Sequence, residues 1–231
     1  VGFMAVFFTQ ERQVNLRFQQ TLARLQGWTP TTLGIPQALS VGDVVVVPAE
    51  NNRSDIFVLV ANPNAEWGAT DLLLTCQIGG ATITFPKTFI NPSESRPVVL
   101  SSQSLSPGAA DCSVTSQTWH RAVAAVFVQP HFSVQKKDII STTALIGGKT
   151  VPVVRVDATV QNDSGNNFQV VEVALVVRAG EEVVAVDILP LNRWATRSTK
   201  TITNTWTLDR SGITSVDIIP LVSQFDRESI Y

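Results

Sequence analysis

The side chains with the most distinctive chemistry in this chain are its two cysteines, Cys76 and Cys112. Cys76 lies inside an apolar run, and Cys112 precedes a run of alternating residues, so both are expected on β-strands. A disulfide between them would close a loop of about 36 residues and stabilise the fold by roughly 4 kcal/mol through lost chain entropy. The alternative is a pair of buried free thiols, which behave as small hydrophobic side chains. A location outside the cytosol would favour the disulfide.

Nucleophilic or metal chemistry would depend on the two histidines, His120 and His131. Neither stands near a Ser or Cys nucleophile in a recognisable setting. The cysteines and histidines also lack the short spacings that are typical of metal ligands. We therefore expect a surface or hinge role for each histidine, and no metal site.

Glycan hydrolysis on a β-fold would need two carboxylates that face one cleft. The nearest cluster in the sequence is formed by Glu172, Glu181, Glu182 and Asp187. Residues 181 and 182 are adjacent in an expected turn, so their side chains should point apart. The pattern predicts that the protein is not an enzyme and that it needs no cofactor.

Composition narrows the class of protein further. Of the 231 residues, 44% are apolar and only 16% are charged, whereas about 25% charged residues is usual in soluble domains. The formal charge is −2 and the isoelectric point is near 5.7. No basic surface for a nucleic acid is therefore expected, and we predict no nucleic-acid partner.

The N-terminal region has a pattern of its own. Val1–Phe8 are wholly apolar, and neither Pro nor Gly occurs from there to Gly27. Val14, Phe18 and Leu22 recur at helical steps, and Gly27 is a typical helix stop. The pattern predicts one helix over residues 1–27, apolar at its start and amphipathic beyond.

The apolar start of this helix has three interpretations. In the first, it is the outer end of a membrane anchor, because eight apolar residues are too few for a full bilayer span, which needs about 20. Alternatively, it is a processed end that packs in a filament core, as in pilins, or it packs against its own domain. A secretory signal peptide fits poorly, because no basic residue precedes the run and no small-residue cleavage site follows it. The side chains expected to be buried against lipid or partner helices are Phe3, Val6, Phe7, Val14, Phe18 and Leu22.

After a Pro/Gly-rich connector at residues 28–40, the chain consists of short strand-like runs separated by turn signals, which indicates sandwiches or barrels. The runs in residues 41–129 recur in the same order in residues 130–231; for example, "FVLVANPN" corresponds to "DATVQNDS". We predict a mainly β fold, in which an N-terminal α-helix is followed by two tandem immunoglobulin-like β-sandwich domains, 41–129 and 130–231.

The break Asn62-Pro63-Asn64 interrupts two apolar runs. Proline lacks the N–H that a central strand needs, and asparagine tolerates turn dihedrals and bonds its own backbone. The pattern predicts a strand end where the chain crosses between sheets. A cation site formed by these asparagines is not expected, because few carboxylates gather nearby.

A set of short motifs recurs along the chain in a fixed order: Asn62–Asn64, Trp119, Asn162–Ser164, Thr205-Trp206 and Ile219-Pro220. In order and spacing this set resembles that of predicted single-span surface proteins of candidate-phyla (Patescibacteria) bacteria, which carry a membrane helix followed by two immunoglobulin-like or FxLYD-like sandwiches. The likeness extends from about residue 40 to residue 228. It departs from that pattern at residues 27–40, where the cysteine-rich stretch of those proteins is missing. The resemblance implies an exported, non-enzymatic protein and names no ligand.

We therefore expect a non-enzymatic protein at the cell surface, in which the N-terminal helix anchors two modules for envelope or adhesive assembly. A pilin-like subunit of an extracellular filament, with the helix in the filament core, is the first alternative. A glycan-active enzyme on a sandwich fold is the second. The expected partners are the membrane or copies of the same chain through the helix, and a surface protein or glycan through the modules.

Overall fold

The computed structural model describes residues 34–49, 53–105, 109–122, 130–208, 212–226 and 230. The predicted helix at residues 1–27 and the start of the connector lie outside these residues, and they stay predictions. Within the described residues, no helix has the length and apolarity needed to cross a bilayer. The six expected anchor side chains also lie outside the described residues, so their role stays a prediction; they are Phe3, Val6, Phe7, Val14, Phe18 and Leu22.

The described part of the chain is built of β-strands, as its abundance of β-branched residues favours. In chain order the strands are β1 (Ser40–Ala49), β2 (Arg53–Ala61), β3 (Trp67–Ile78), β4 (Ala81–Thr84), β5 (Thr88–Ile90), β6 (Ser95–Gln103), β7 (Ala110–Arg121), β8 (Phe132–Ile146), β9 (Lys149–Asn162), β10 (Phe168–Ala179), β11 (Glu182–Trp194), β12 (Thr199–Thr207) and β13 (Ser215–Leu221). The mainly β class predicted from the sequence is confirmed.

Among the described residues, these strands pair into antiparallel sheets, which we number 1 to 4. Sheet 1 has the order β1-β2-β6, and sheet 2 has β3 at its centre, paired with β4, β5 and β7. Sheet 3 has the order β12-β9-β8, and sheet 4 has the order β11-β10-β13. Sheets 1 and 2 belong to the N-terminal half, residues 37–122, and sheets 3 and 4 to the C-terminal half, residues 130–230.

The two halves correspond strand by strand. Sheet 1 matches sheet 3, since β1, β2 and β6 pair as β8, β9 and β12 do. Sheet 2 matches sheet 4, with β3 and β7 in the places of β10 and β13, and the two short strands β4 and β5 in the place of the single strand β11. The interruption between β4 and β5 contains Pro86, which cannot donate a ladder hydrogen bond. The repeat expected from the sequence is thus present in the strand pairing, whereas the domain boundary at 129/130 borders residues 123–129, outside the description.

Each half encloses its own apolar core between its two sheets. Core 1, between sheets 1 and 2, includes Ile56, Val58, Val60, Leu72, Leu74, Cys76, Ile78, Phe85 and Ile90. Core 2, between sheets 3 and 4, includes Val156, Val160, Phe168, Val171, Val173, Leu175, Val177, Trp194 and Ile202. Two antiparallel sheets that enclose one core are the architecture of a β-sandwich.

A third apolar cluster, which we call the junction, joins the two halves. Phe57 of β2 lies between the core residues Ile56 and Val58 but belongs to this cluster, because successive side chains on a strand point to opposite faces. The outer face of sheet 1 therefore packs on the outer face of sheet 4, and residues 37–231 form one compact unit. The buried members of the junction are Val47, Phe57, Val176, Val183 and Val186.

Strand β8 was not expected from the sequence, in which residues 130–138 have the pattern of an interdomain stretch. It forms a long hairpin with β9, which is paired from Phe132↔Asn162 to Ile146↔Lys149 with one register shift between Val134 and Lys136. The turn is Gly147-Gly148, and both residues have positive φ, at 56° and 79°, which matches the tight turns that join twisted strands. The pairing of β12 with β9 stops at Thr207↔Val153, so the tip of the hairpin extends beyond the rest of sheet 3.

Candidate functional site

Cys76 and Cys112 lie directly opposite each other on β3 and β7, and a disulfide joins them. Both side chains belong to core 1, with 0% and 8% of their surfaces exposed. Reactive cysteines are accessible and lie in electropositive surroundings, so this bridge acts as a structural cross-link within sheet 2. Of the two alternatives that the sequence left open, a bridge or two free thiols, the structure has the bridge.

The end of β2 is a corner organised by a buried asparagine. Asn62 Nδ2 donates to the carbonyl oxygens of Trp67, at 2.6 Å, and Asn91, at 2.9 Å. Asn62 Oδ1 accepts the backbone N–H of Asn64 at 3.0 Å. Because the chain passes here from sheet 1 to sheet 2, the polar break ends one strand and fixes the start of the next. This outcome agrees with the strand end predicted at Asn62-Pro63-Asn64.

The C-terminal half has the same corner at the end of β9. Asn162 Nδ2 donates to the carbonyl oxygens of Asn166, Trp194 and Ala195, at 2.9, 3.3 and 3.2 Å. Asn162 Oδ1 accepts the backbone N–H of Ser164 at 3.0 Å. Both groups of this amide bond the backbone of the corner, so the role of Asn162 is structural.

The residue two positions after each corner asparagine holds the segment that leads into the first strand of its half. Asn64 Nδ2 donates to the carbonyl of Gln37, and Asn64 Oδ1 accepts the N–H of Gln37, both at 2.8 Å. In the C-terminal half, Ser164 Oγ exchanges the same two bonds with the backbone of His131, at 2.8 and 3.1 Å. His131 therefore marks a structural position, and its ring lies 3.6 Å from an oxygen of Asp163.

We expect Asn162→Ala to lower the free energy of unfolding by about 2 kcal/mol, because buried carbonyls would lose their donor. Chemical denaturation monitored by circular dichroism measures the change. Asn166→Ala is the matched control, since Asn166 contributes its backbone carbonyl to the corner, and a shift within about 0.5 kcal/mol is expected for it. Equal effects of the two variants would contradict the role of the corner amide.

A buried arginine links the two halves beside the junction. Arg96, on β6, is 1% exposed, and its Nε donates to Thr88 Oγ1 at 3.1 Å. Its Nη2 donates to Glu172 Oε2 of β10 at 3.3 Å, and its Cζ lies 3.6 Å from the ring centroid of Phe89. Nη1 has no hydrogen-bond partner in the described part of the chain, but it lies 3.9 Å from Glu94 Oε1. One guanidinium thus holds together two strands of one half and one strand of the other.

Burial shifts the pKa values of Arg96 and Glu94 in this cluster. Loss of hydration lowers the pKa of Arg96 to about 10, against the opposing charges of Glu94 and Glu172, so the guanidinium stays charged at neutral pH. Burial raises the pKa of Glu94, although the charge of Arg96 and hydrogen bonds from Asn91 oppose the rise. The backbone N–H of Asn91 donates to Glu94 Oε2 at 2.6 Å. Arg96 thus keeps its charge at a site that penalises charge.

A cleft of about 450 Å³ lies between the halves next to this cluster. Its walls include Asp71, Lys87, Phe89, Glu172 and residues 221–223. Lys87 Nζ bonds Asp71 Oδ1 at 3.0 Å, and Glu172 bonds Arg96. Two of the carboxylates that line the cleft are therefore engaged by cations, and we interpret this region as a joint between the halves.

The segment that follows β13 crosses back to the N-terminal half. Asn91 Nδ2 donates to the carbonyl of Val222 at 2.9 Å, and Asn91 Oδ1 accepts the N–H of Gln224 at 3.0 Å. The ring of Phe225 stacks on that of His120, with centroids 5.3 Å apart. His120 in turn bonds Thr70 Oγ1 at 2.7 Å. The C-terminal segment is a second fastening between the halves.

Gly68 leaves the space that Phe225 fills. A Cβ at this position would lie 2.3 Å from Phe225 Cε2 and 2.8 Å from the carbonyl oxygen of Ile90. We expect Gly68→Ala to lower the free energy of unfolding by about 1–3 kcal/mol through overpacking, and to speed chymotrypsin cleavage at Phe225. Gly165→Ala is the control, because a Cβ added there would meet no described atom beyond its chain neighbours within 4 Å. An unchanged rate of cleavage in Gly68→Ala would contradict the role of Phe225 packing in holding the C-terminal segment.

The sequence-derived carboxylate cluster is not assembled. Glu172 lies opposite Pro190, and Asp187 lies opposite Leu175, so the two are offset along neighbouring strands. Asp187 Oδ2 accepts a bond from Asn204 Nδ2 at 2.7 Å. In the part of the chain that the structure describes, no three His, Cys, Asp or Glu side chains gather to hold a metal ion.

The sequence did not identify Arg96, Asn91 and Phe225 as residues that join the two halves. Each contacts a residue far away in the chain, namely Glu172, Val222 and Gly68, and no local sequence pattern indicates such a contact. Comparison of the chain with protein-family models and with curated proteins finds no match.

Proposed function

We propose that this protein is an exported, non-catalytic surface subunit. In this proposal, two immunoglobulin-like sandwiches are joined into one rigid body, which the N-terminal helix at residues 1–27 anchors to the membrane for envelope or adhesive assembly. The modules would meet a surface protein or glycan. The same architecture is what the resemblance to single-span surface proteins of candidate-phyla bacteria implies.

The observation that carries the proposal is the buried contact between the halves. Apolar packing at the junction, the bond from Arg96 to Glu172 and the fastening of the C-terminal segment by Asn91 act together. Domain pairs that move during catalysis or signalling have small, polar contacts. A buried apolar and ionic joint instead suits a spacer that must keep a fixed shape.

The disulfide supports export. The bridge uses Cys76 and Cys112, the two cysteines of the sequence. Disulfides persist in oxidising compartments and are rare in the cytosol. The strand pairing supports the immunoglobulin-like assignment, because each half has a three-stranded sheet facing a second sheet with crossover connections.

Removal of residues 1–26 tests the role of the helix. We expect the truncated protein to keep the circular dichroism spectrum and unfolding temperature of the full chain and to lose co-sedimentation with vesicles of zwitterionic lipid. In the full chain, F3Q/V6Q/F7Q should have the same effect. The matched control replaces the polar residues Gln10, Gln13 and Gln19 with serine and should still bind. A truncated protein that unfolds would contradict the proposal, because the helix would then belong to the core of the domains.

Electron microscopy of the same samples separates the pilin-like alternative from the anchor. Threads formed by the full chain without lipid, and abolished by F3Q/V6Q/F7Q, would favour a filament core. Vesicle binding without threads would favour the anchor.

A further inference from the structure

Among the described strands, β8 is an edge strand. In sheet 3 it pairs with β9 on one side, and no described strand pairs with its other side. A free strand edge offers a row of backbone donors and acceptors to another chain. At 15 residues, β8 is also the longest strand of the described chain.

The first part of this edge is protected. The pairing register shifts between Val134 and Lys136, which marks a bulge. Lys136 Nζ lies 2.6 Å from Asp138 Oδ2, and Lys137 Nζ donates to the carbonyl of Val216. Bulges and lysines are the devices by which natural proteins discourage edge pairing.

The second part of the edge, residues 139–146, has none of these devices. Its sequence is "IISTTALI", without charge or proline, and its pairing with β9 is regular. Ile140, Leu145 and Ile146 are 44%, 75% and 51% exposed. The apolar edge strands β1 and β13 differ, since they carry Pro48 and Pro220. The open stretch is therefore suited to binding a strand that is itself uncharged and apolar.

Residues 139–146 fulfil that description themselves. Two identical strands that pair antiparallel about a two-fold axis place one residue opposite itself. With Thr142 on the axis, Ser141 faces Thr143, Ile140 faces Ala144 and Ile139 faces Leu145 of the second copy. Each of these pairs is either polar with polar or apolar with apolar. We propose that residues 139–145 pair with the same residues of a second copy of this chain.

Charges at the ends of the paired segment are complementary. In the same register, Asp138 faces Ile146 of the second copy, and Ile146 pairs within its own hairpin with Lys149. Asp138, Ile146 and Lys149 then share one row and one face across three strands. Neighbouring strands lie about 4.8 Å apart, so the long lysine side chain reaches over Ile146 toward Asp138. The two-fold axis repeats this contact at the other end.

The outcome is a continuous sheet that runs β12-β9-β8 in one copy and β8-β9-β12 in the next. The two β8 strands lie side by side at its centre, and the end of each hairpin covers the edge of the other copy's β8 near Ile139. This pairing is independent of the N-terminal helix and of the proposed function.

Cross-linking of the full chain tests the register. In Thr142→Cys, the introduced thiols would lie opposite each other on the axis, with Cβ atoms about 5 Å apart. Mild oxidation should convert most of this variant to a covalent dimer, seen on a non-reducing gel. Thr201→Cys, an exposed position on β12 at the opposite edge of the same sheet, is the matched control and should stay uncross-linked. Equal cross-linking in both variants, or none in Thr142→Cys, would overturn the proposal.

Sedimentation of the full chain gives an independent readout. The wild-type chain should sediment as a dimer or a multiple of a dimer, and Thr142→Lys, which would place like charges directly opposite each other, should halve that mass. Thr201→Lys should leave it unchanged. A wild-type chain that is monomeric at every concentration, or an unchanged mass for Thr142→Lys, would overturn the proposal.

Discussion

Replacing Cys76 and Cys112 together with alanine should lower the free energy of unfolding by about 4 kcal/mol. The bridge closes a loop with a sequence separation of 36 residues, and the entropy of the unfolded chain rises when that loop is opened. Alanine is preferred to serine because both positions face core 1, where a hydroxyl without a partner would add a separate penalty.

Urea denaturation of the wild type and of the double variant, each with and without reductant, measures this effect. The reductant should destabilise the wild type by the same amount as the substitution, and it should leave the double variant unchanged. A wild type that is insensitive to complete reduction would contradict a stabilising role for the bridge.

Arg96→Met should lower the free energy of unfolding by about 3–5 kcal/mol, because removing one member of a buried ion pair leaves an unpaired buried charge. In Arg96→Met the unpaired group would be the carboxylate of Glu94, since the charge of Arg96 is the strongest influence that favours its ionised form. Adding Glu94→Gln to Arg96→Met should recover part of the loss. The amide of glutamine carries no charge that burial would penalise.

Thermal and urea unfolding of the two single variants and the double variant complete a thermodynamic cycle for the pair. The matched control is Arg155→Met, which removes a surface ion pair in which Arg155 Nη2 lies 2.9 Å from Asp157 Oδ1. Exposed pairs of this kind contribute about 0–1 kcal/mol. If Arg96→Met and Arg155→Met had equal effects, Arg96 would not be the joint that the structure indicates.

Features encoded within a few residues of sequence were predictable. The break at Asn62 was expected to end a strand because asparagine bonds its own backbone, and it does so. Asn162, in the corresponding run of the second half, makes the same bond. The repeat was visible because equivalent strands keep the same order of apolar runs and turns. The cysteine pair could be placed only as an alternative, since sequence does not show which residues face each other across a sheet.

The junction and its buried arginine could not be predicted from local pattern. Arg96 stands in "ESRPVV", which is typical of a charged turn before an edge strand, and its partner Glu172 is 76 positions away in the chain. One signal was present in β10, where Val173–Val177 form an unbroken apolar run and are buried on both faces. Such runs indicate a strand that is covered on two sides, which is what packing of sheet 4 against sheet 1 produces.

Strand β8 was missed for a different reason. Lys136, Lys137 and Asp138 look like a solvated linker, and the Gly147-Gly148 pair that follows was not used in the sequence analysis. The alternative signal was a two-glycine turn between apolar runs, which favours a hairpin. These charged residues lie within β8, in the protected part of its edge. There they discourage pairing with another chain, but they do not end the strand.

Immunogold electron microscopy of intact source cells, with antibodies raised against residues 37–231, tests the central claim most directly. We expect gold particles on the outside of unpermeabilised cells, on the envelope or along threads that leave it. Gold that appears only after permeabilisation, inside the cytosol, would contradict an exported surface subunit.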